Sequence, residues 1–310
     1  MNYDKKNPKT VEALFDDISP IYDGMNNLIS GFLQHGVKRR TVEAIRGNPK
    51  RILDVCCGTG DITFAEAAKY PFAEVYGVDI SAGMLKIAQK RLFAGRTDRA
   101  ATDNHSQRDG HGAPSEGEKG SAAANPENVC DGKIAPTEPV SSDSEDKNLS
   151  SVGDFARHNE LDADDTKFCD SDENIVFKRA NAANLPFEDG FFDVCTVVFG
   201  LRNMPDPEAA IAELARVLKD GGQLVITEFG APRGWFKAIF AIFLRLLPFA
   251  GLITGKYGAY RYLAESISTY EPPEKITQYL RSAGFEDAKN EELLFGAISL
   301  QTGTKTEKTL

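Results

Sequence analysis

Cysteine is scarce and unpaired in this sequence: Cys56, Cys57, Cys130, Cys169 and Cys195 are odd in number and include no C-x-x-C spacing. A disulfide framework and a cysteine-based zinc site are therefore not expected. Histidine is as sparse, with four residues too scattered to suggest a metal centre. No uncharged run reaches 18 residues, and the opening MNYDKKNPKTVEALFDD has no apolar stretch of the kind that directs secretion. Neither a membrane span nor an exported protein is expected, and a reducing cytoplasm is. A basic face is missing too. The net charge is −10, which argues against a nucleic-acid partner because phosphate recognition needs clustered Lys and Arg. That acidity is local: residues 95–174 hold 8 basic and 19 acidic residues, and the remainder is close to neutral with 28 and 27.

What is present is a long chain, 310 residues with 41% apolar content, enough for one large core or two small ones. From Gly95 to about Asp172 the sequence is rich in Gly, Ser, Asp, Asn and Glu, with Phe155 and Phe168 its only aromatics. Such a stretch buries too little apolar surface to offset its ordering entropy, so a disordered acidic insertion is expected at 95–172. The host fold tolerates it because loop-closure entropy grows only logarithmically with length. Around it, strand and helix signals alternate. Strands are expected at 51–55, 75–79, 175–180, 193–199 and 222–229, and helices at about 61–70, 81–92, 206–218 and 272–285, with a hairpin about Gly296. That order is the pattern of an α/β, doubly wound and mostly parallel seven-stranded sheet. Residues 10–46 read as amphipathic helical pieces interrupted at Pro20, Gly24, Gly31 and Gly36, so the chain divides into a helical cover, 1–46, and a catalytic domain, 47–310.

The first strand runs into Asp54-Val-Cys-Cys-Gly58-Thr59-Gly60-Asp61. In an open parallel sheet, ligands bind at the carboxyl ends of the strands, where a glycine turn exposes backbone N–H groups. A dinucleotide fingerprint would need a third glycine at position 63, which is threonine. An acidic strand end followed by G-x-G suits S-adenosylmethionine instead, a cofactor without a pyrophosphate. Asp79 ends the second strand, 20 residues after Thr59, where its carboxylate can accept from both ribose hydroxyls. Asn181 and Ala182 follow the third strand, in position for the adenine edge. Taken singly, each motif also fits a structural turn, a helix cap or a loop exit. Cys56 and Cys57 read as small packing residues of the turn.

Taken together, Tyr22-Asp23-x-Met25-Asn26, Asp54-x-x-x-Gly58-Thr59-Gly60-Asp61, Asn181-Ala182 with Leu185-Pro186-Phe187, Phe199-Gly200-Leu201-Arg202-Asn203, Glu228-Phe229 and Tyr260-Arg261-Tyr262-Leu263-Ala264-Glu265-Ser266-Ile267 resemble the ubiquinone and menaquinone biosynthesis C-methyltransferases. The resemblance covers nearly all of the chain outside the insertion. It implies a class I methyltransferase fold that methylates a ring carbon of a polyprenyl hydroquinone with S-adenosylmethionine. The acceptor it implies is demethylmenaquinol, with the benzoquinol of ubiquinone synthesis as the alternative. Thr59, Asp79, Asn181 and Ala182 carry over as cofactor contacts, beside Asp54, Gly58 and Gly60 of the turn. Where the family has a contacting serine this chain has Val198, and Asp220 replaces a common proline before Gly221-Gly222.

Carbon methylation needs a phenolate beside the acceptor carbon. Arg202 is the expected positive partner, since guanidinium stays charged and forks its donors toward an oxyanion. A structural alternative for it is an ion pair with Asp206. Asn203 is assigned to the second quinol oxygen, Tyr22 to a cover that excludes water, and Tyr262 to the quinol side. The most apolar stretch, 235–254, carries Lys237 and Arg245 on one side and leaves a broad apolar face. It suits a polyprenyl tail or peripheral contact with the inner membrane face, and equally a core or homodimer interface. Rival readings are a methyltransferase for a soluble small molecule or RNA, and a non-catalytic cofactor or quinone scaffold.

Overall fold

The computed structural model describes residues 7–22, 33–106 and 174–307. The chain divides into two compact units, residues 1–97 with 165–310 and residues 98–164. The larger one is a seven-stranded sheet in the order β3-β2-β1-β4-β5-β7-β6. Its strands are β1 (Arg51–Val55), β2 (Glu74–Asp79), β3 (Ile175–Arg179), β4 (Phe192–Val198), β5 (Leu218–Phe229), β6 (Phe285–Leu293) and β7 (Ile298–Lys305). The first five pair in parallel; β7 runs antiparallel between β5 and β6. Central strands covered on both faces need continuous apolar runs, and β1 and β4 are buried over almost their whole length.

Helices α1 (Pro8–Ile18), α2 (Leu33–Glu43), α3 (Asp61–Lys69), α4 (Ala82–Ser106), α5 (Pro207–Val217), α6 (Phe236–Ile253), α7 (Tyr257–Ser268) and α8 (Pro273–Ser282) accompany the sheet. One of the expected breaks is absent. Helix α2 passes through Gly36, because a glycine costs only about 0.5–1 kcal/mol in a helix and Val37, Thr41 and Val42 are buried beside it. Gly24 and Gly31 lie outside the described residues. Within the expected insertion, residues 95–106 continue α4, while 107–173 lie outside the described residues. Helix α1 joins a cluster in which Leu14 and Ile18 are buried with Met84, Leu247, Tyr260 and Tyr262. Asp16 pins it there, accepting from Ser81 Oγ at 2.5 Å and from the Gly83 amide at 2.9 Å. Ser81 in turn caps α4, its hydroxyl accepting from the Met84 amide at 3.1 Å.

Candidate active site

The order of strands reverses between β1 and β4, and the carboxyl ends there open on two cavities. Both are lined by Tyr22, Cys56, Gly58, Val198 and Phe199, so they adjoin along the turn that follows β1. Gly58 and Gly60 hold φ of +56° and +89°, and Cys56 and Phe199 are left-handed as well at +59° and +55°. A non-glycine residue in that region costs of order 1–3 kcal/mol and persists where the surroundings enforce it. Gly200 enforces it here: a Cβ added to it would lie 2.6 Å from Cys56 Cβ, so glycine lets the end of β4 press against the turn. Burial, together with the Asp79, Asp54 and Glu228 charges, pushes the Cys56 thiol well above its usual range, which keeps it neutral and makes it packing rather than a nucleophile.

The first cavity is lined by Asp79, Ile80, Met84, Asn181, Ala182 and Asn203, with Pro8, Val11 and Phe15 of α1 beside them. Asp79 accepts from the Gly58 amide at 2.9 Å and the Ser81 amide at 2.9 Å, one per oxygen. Each carboxylate oxygen can accept again. Burial raises its proton affinity and these amides lower it. A Cβ on Gly58 would meet nothing within 4 Å, which leaves open space beside the Asp79 carboxylate. Asn181 Oδ1 accepts from the Ala183 amide at 3.0 Å. Glu213 and Arg216 of α5 fix this exit: Glu213 Oε1 accepts from the Leu185 amide at 2.7 Å, and Arg216 donates to the Leu185 and Phe187 carbonyls at 3.0 and 2.8 Å. These residues suit a purine nucleoside with a vicinal diol, so the site fits S-adenosylmethionine. When bound, that cofactor supplies a methyl group on a positively charged sulfur.

The second cavity, about 520 Å³, is mostly aromatic and aliphatic. Phe229, Phe236, Phe240 and Phe243 line it, with Phe199–Phe229 and Phe236–Phe240 ring centroids 5.1 and 6.3 Å apart. Its polar side comprises Thr59, Lys38, Asp61, Asp54 and Arg202. Arg202 is not paired with Asp206, which instead caps α5 by accepting from the Ala209 amide at 3.0 Å. Its partner is Glu228 at the end of β5: Nη1 donates to Oε1 at 3.0 Å and to Oε2 at 3.2 Å, and also to the Phe199 carbonyl. The guanidinium lies 5.1 Å from the centroid of the Phe229 ring. Its Nε is buried with no hydrogen-bond partner among the described residues. An orphaned cationic donor beside an apolar cavity is costly unless something engages it.

Several expected residues fall elsewhere. Tyr262 lines neither cavity; it is buried and donates to Asn203 Oδ1 at 3.1 Å. Asn203 lines the first cavity rather than the apolar one where Arg202 lies, since the 3₁₀ turn Leu201–Asn203 sends successive side chains apart. Gly60 lines neither cavity, and a Cβ there would meet Phe64 at 2.8 Å, so it serves helix packing. Asp54 is 1% exposed and accepts from Thr63 Oγ1 at 2.7 Å, bracing the turn from below. Burial pushes it up to about 7. Tyr22 borders both cavities. Glu228 entered the sequence reading only as part of a motif, and Glu213 and Arg216 escaped it, because their partners lie on other elements. Among the described residues no cluster of His, Cys, Asp and Glu could hold a metal ion.

The profile of the ubiE/COQ5 methyltransferase family matches residues 2–101 and 135–305. The demethylmenaquinone methyltransferase of Thermus thermophilus is 31% identical over 94% of this chain and 100% of its own length. The ubiquinone/menaquinone biosynthesis C-methyltransferase UbiE of Stutzerimonas stutzeri is 32% identical over 95% and 88%. The fold recurs in an S-adenosylmethionine-dependent methyltransferase of Thermotoga maritima, with a TM-score of 0.50 at 16% identity over 95% of this chain and 99% of that one. It recurs also in a Haemonchus contortus phosphoethanolamine N-methyltransferase solved with S-adenosylhomocysteine, at 0.50 and 13%, over 91% and 56%. With a class I methyltransferase sheet, two adjoining cavities at its switch point and relatives matched over nearly their full length, this chain belongs to the ubiE/COQ5 methyltransferase family.

Proposed function

We propose that the chain methylates a ring carbon of demethylmenaquinol, with Asp79, Asn181, Ala182 and Thr59 holding S-adenosylmethionine and the apolar cavity holding the quinol. The observation that carries the reading is the unpartnered Nε of Arg202 at a large aromatic cavity adjoining the nucleoside site. The acceptor carbon is nucleophilic when the neighbouring hydroxyl has given up its proton. Arg202 then meets the resulting oxyanion, while Glu228 and the Phe199 carbonyl fix the guanidinium before the quinol arrives. A preorganised charge of this kind costs no reorganisation during the reaction. Methyl transfer leaves the ring carbon with one proton to lose to water. Tyr22 and α1, in the 1–46 segment, close the site against solvent, and aligning the reactants is worth about 7–11 kcal/mol. Asn203 and Tyr262 act one step away, through their mutual hydrogen bond.

Helix α6 supports a lipid-linked substrate. Its inner side gives Phe236, Phe240, Phe243 and Leu247 to the cavity. Its outer side leaves Ile242, Leu246, Phe249 and Leu252 57–63% exposed, beside Trp235 at 66%. No helix among the described residues is long and apolar enough to cross a membrane, so α6 lies on the bilayer surface with Lys237 and Arg245 at the headgroups. A polyprenyl tail then enters the cavity without leaving lipid. Mass spectrometry of quinones from cells lacking the protein tests the function: a naphthoquinone one methylene lighter supports it, a benzoquinone precursor points to the ubiquinone step, and an unchanged quinone pool refutes both.

A further inference from the structure

Lys38 and Asp61 line the apolar cavity as a contact ion pair at 2.5 Å. Their place along the β1 turn sets them apart from the nucleoside residues. Asp79 is tied to the amide of Gly58, whereas Thr59 and then Asp61 lead from that point to the other side. Lys38 is no loose surface lysine: its side chain is 17% exposed and its helix is fastened to the sheet. Thr41 Oγ1 lies 2.7 Å from Thr227 Oγ1, and Lys69 Nζ donates to the Val42 carbonyl at 2.8 Å. Asp61 is held from a second direction by Arg91, at 2.7 Å. Arg91 also donates to the Thr59 carbonyl at 2.9 Å, so the clasp and the turn form one unit.

We propose that this clasp receives the zwitterionic amino-acid end of the cofactor, Lys38 taking its carboxylate and Asp61 its ammonium group. The inference rests on the reading that S-adenosylmethionine binds at the adjoining nucleoside site. An amino acid's α-groups are a close pair of opposite charges, and a lysine and an aspartate already in contact present the complementary pair. When Lys38 turns to an incoming carboxylate, Arg91 still compensates Asp61. Burial opposes charge on Asp61, but the two cations outweigh it and hold its carboxyl below the usual range, so it stays ionised at neutral pH. The clasp also explains why a charged pair is kept at a greasy cavity, where an ion pair seldom adds stability.

Calorimetry with the full chain separates this role from a structural one. S-adenosylhomocysteine carries the amino-acid end; 5′-methylthioadenosine has the same nucleoside and thioether without it. In Lys38→Met the affinity for S-adenosylhomocysteine should fall at least tenfold, and that for 5′-methylthioadenosine should stay within twofold of the parent. Lys38→Arg, which keeps the charge, should retain S-adenosylhomocysteine binding to within a few-fold. Equal losses for both ligands, or no loss for either, would overturn the proposal while leaving cofactor binding intact. A parent chain that bound neither ligand would overturn the cofactor reading with it.

Discussion

Removal of Glu228 isolates a buried positive charge. The side chains of Arg202 and Glu228 are 6% and 2% exposed. Glu228 also accepts from the Arg202 amide at 3.2 Å and the Phe229 amide at 2.9 Å. In Glu228→Ala the guanidinium keeps the Phe199 carbonyl and the Phe229 ring, and loses its only anion among the described residues. Breaking a buried pair from one side costs about 3–5 kcal/mol. At roughly 2–4 °C per kcal/mol for a domain of this size, the melting temperature should fall by about 10 °C. Urea unfolding and scanning calorimetry read it directly. The double variant Arg202→Met/Glu228→Leu removes both charges and should recover most of the lost stability, since the penalty lies in the orphaned charge. It should remain inactive, because no cation then meets the phenolate. A single variant within about 1 kcal/mol of the parent, or a double variant no more stable than the single, would refute this account of the pair.

Four further outcomes follow from the same geometry. Gly200→Ala should destabilise the fold by about 1–3 kcal/mol through overpacking against Cys56, and Cys56→Gly in that background should restore part of it in urea titrations. The carboxyl of Asp54 is pushed up to about 7 by burial, above its unfolded value near 4, so the stability it contributes is full below pH 4 and lost as pH rises through 7. Asp54→Asn should flatten the stability profile across that window, measured by melting at each pH. Asp79→Ala removes an acceptor for two hydroxyls at an estimated 1.5–3 kcal/mol each, so cofactor affinity should drop by about 100-fold or more in calorimetry while the fold persists. Ile242→Asp with Leu246→Asp should abolish sedimentation with anionic vesicles and leave cofactor affinity unchanged; vesicle binding at the parental level would remove α6 from the membrane account.

The parallel strands were legible because burial on both faces demands mostly apolar runs, and RILDV and FDVCTVV are apolar apart from Arg51, Asp54, Asp193 and Thr196. Their ends were less so. Strand β5 begins at Leu218 rather than near Gly222, since Leu218 pairs with Phe192 before a register shift in the ladder, with Gly221 left-handed at φ +77°. The turn Gly58-Thr59-Gly60 and Asp79 pointed to a cofactor site at the strand ends, and Gly58, Thr59 and Asp79 line the cavities there while Gly60 does not. The partners of its charged groups did not show: Arg202 and Glu228 are 26 positions apart, Lys38 and Asp61 23, and Asn203 and Tyr262 59. Such pairs depend on which strand lies beside which and on the facing of each helix. Local periodicity carries neither. Arg202 was therefore found as a cation, with its restraint by Glu228 hidden.

Transfer of a labelled methyl group tests the central claim most directly. The purified chain, given methyl-labelled S-adenosylmethionine and demethylmenaquinol in lipid vesicles, should place the label on the naphthoquinol ring carbon and release an equal amount of S-adenosylhomocysteine, and Arg202→Ala should slow this by about 10²–10³-fold. A parent chain that binds the cofactor and leaves the quinol unlabelled would contradict the account.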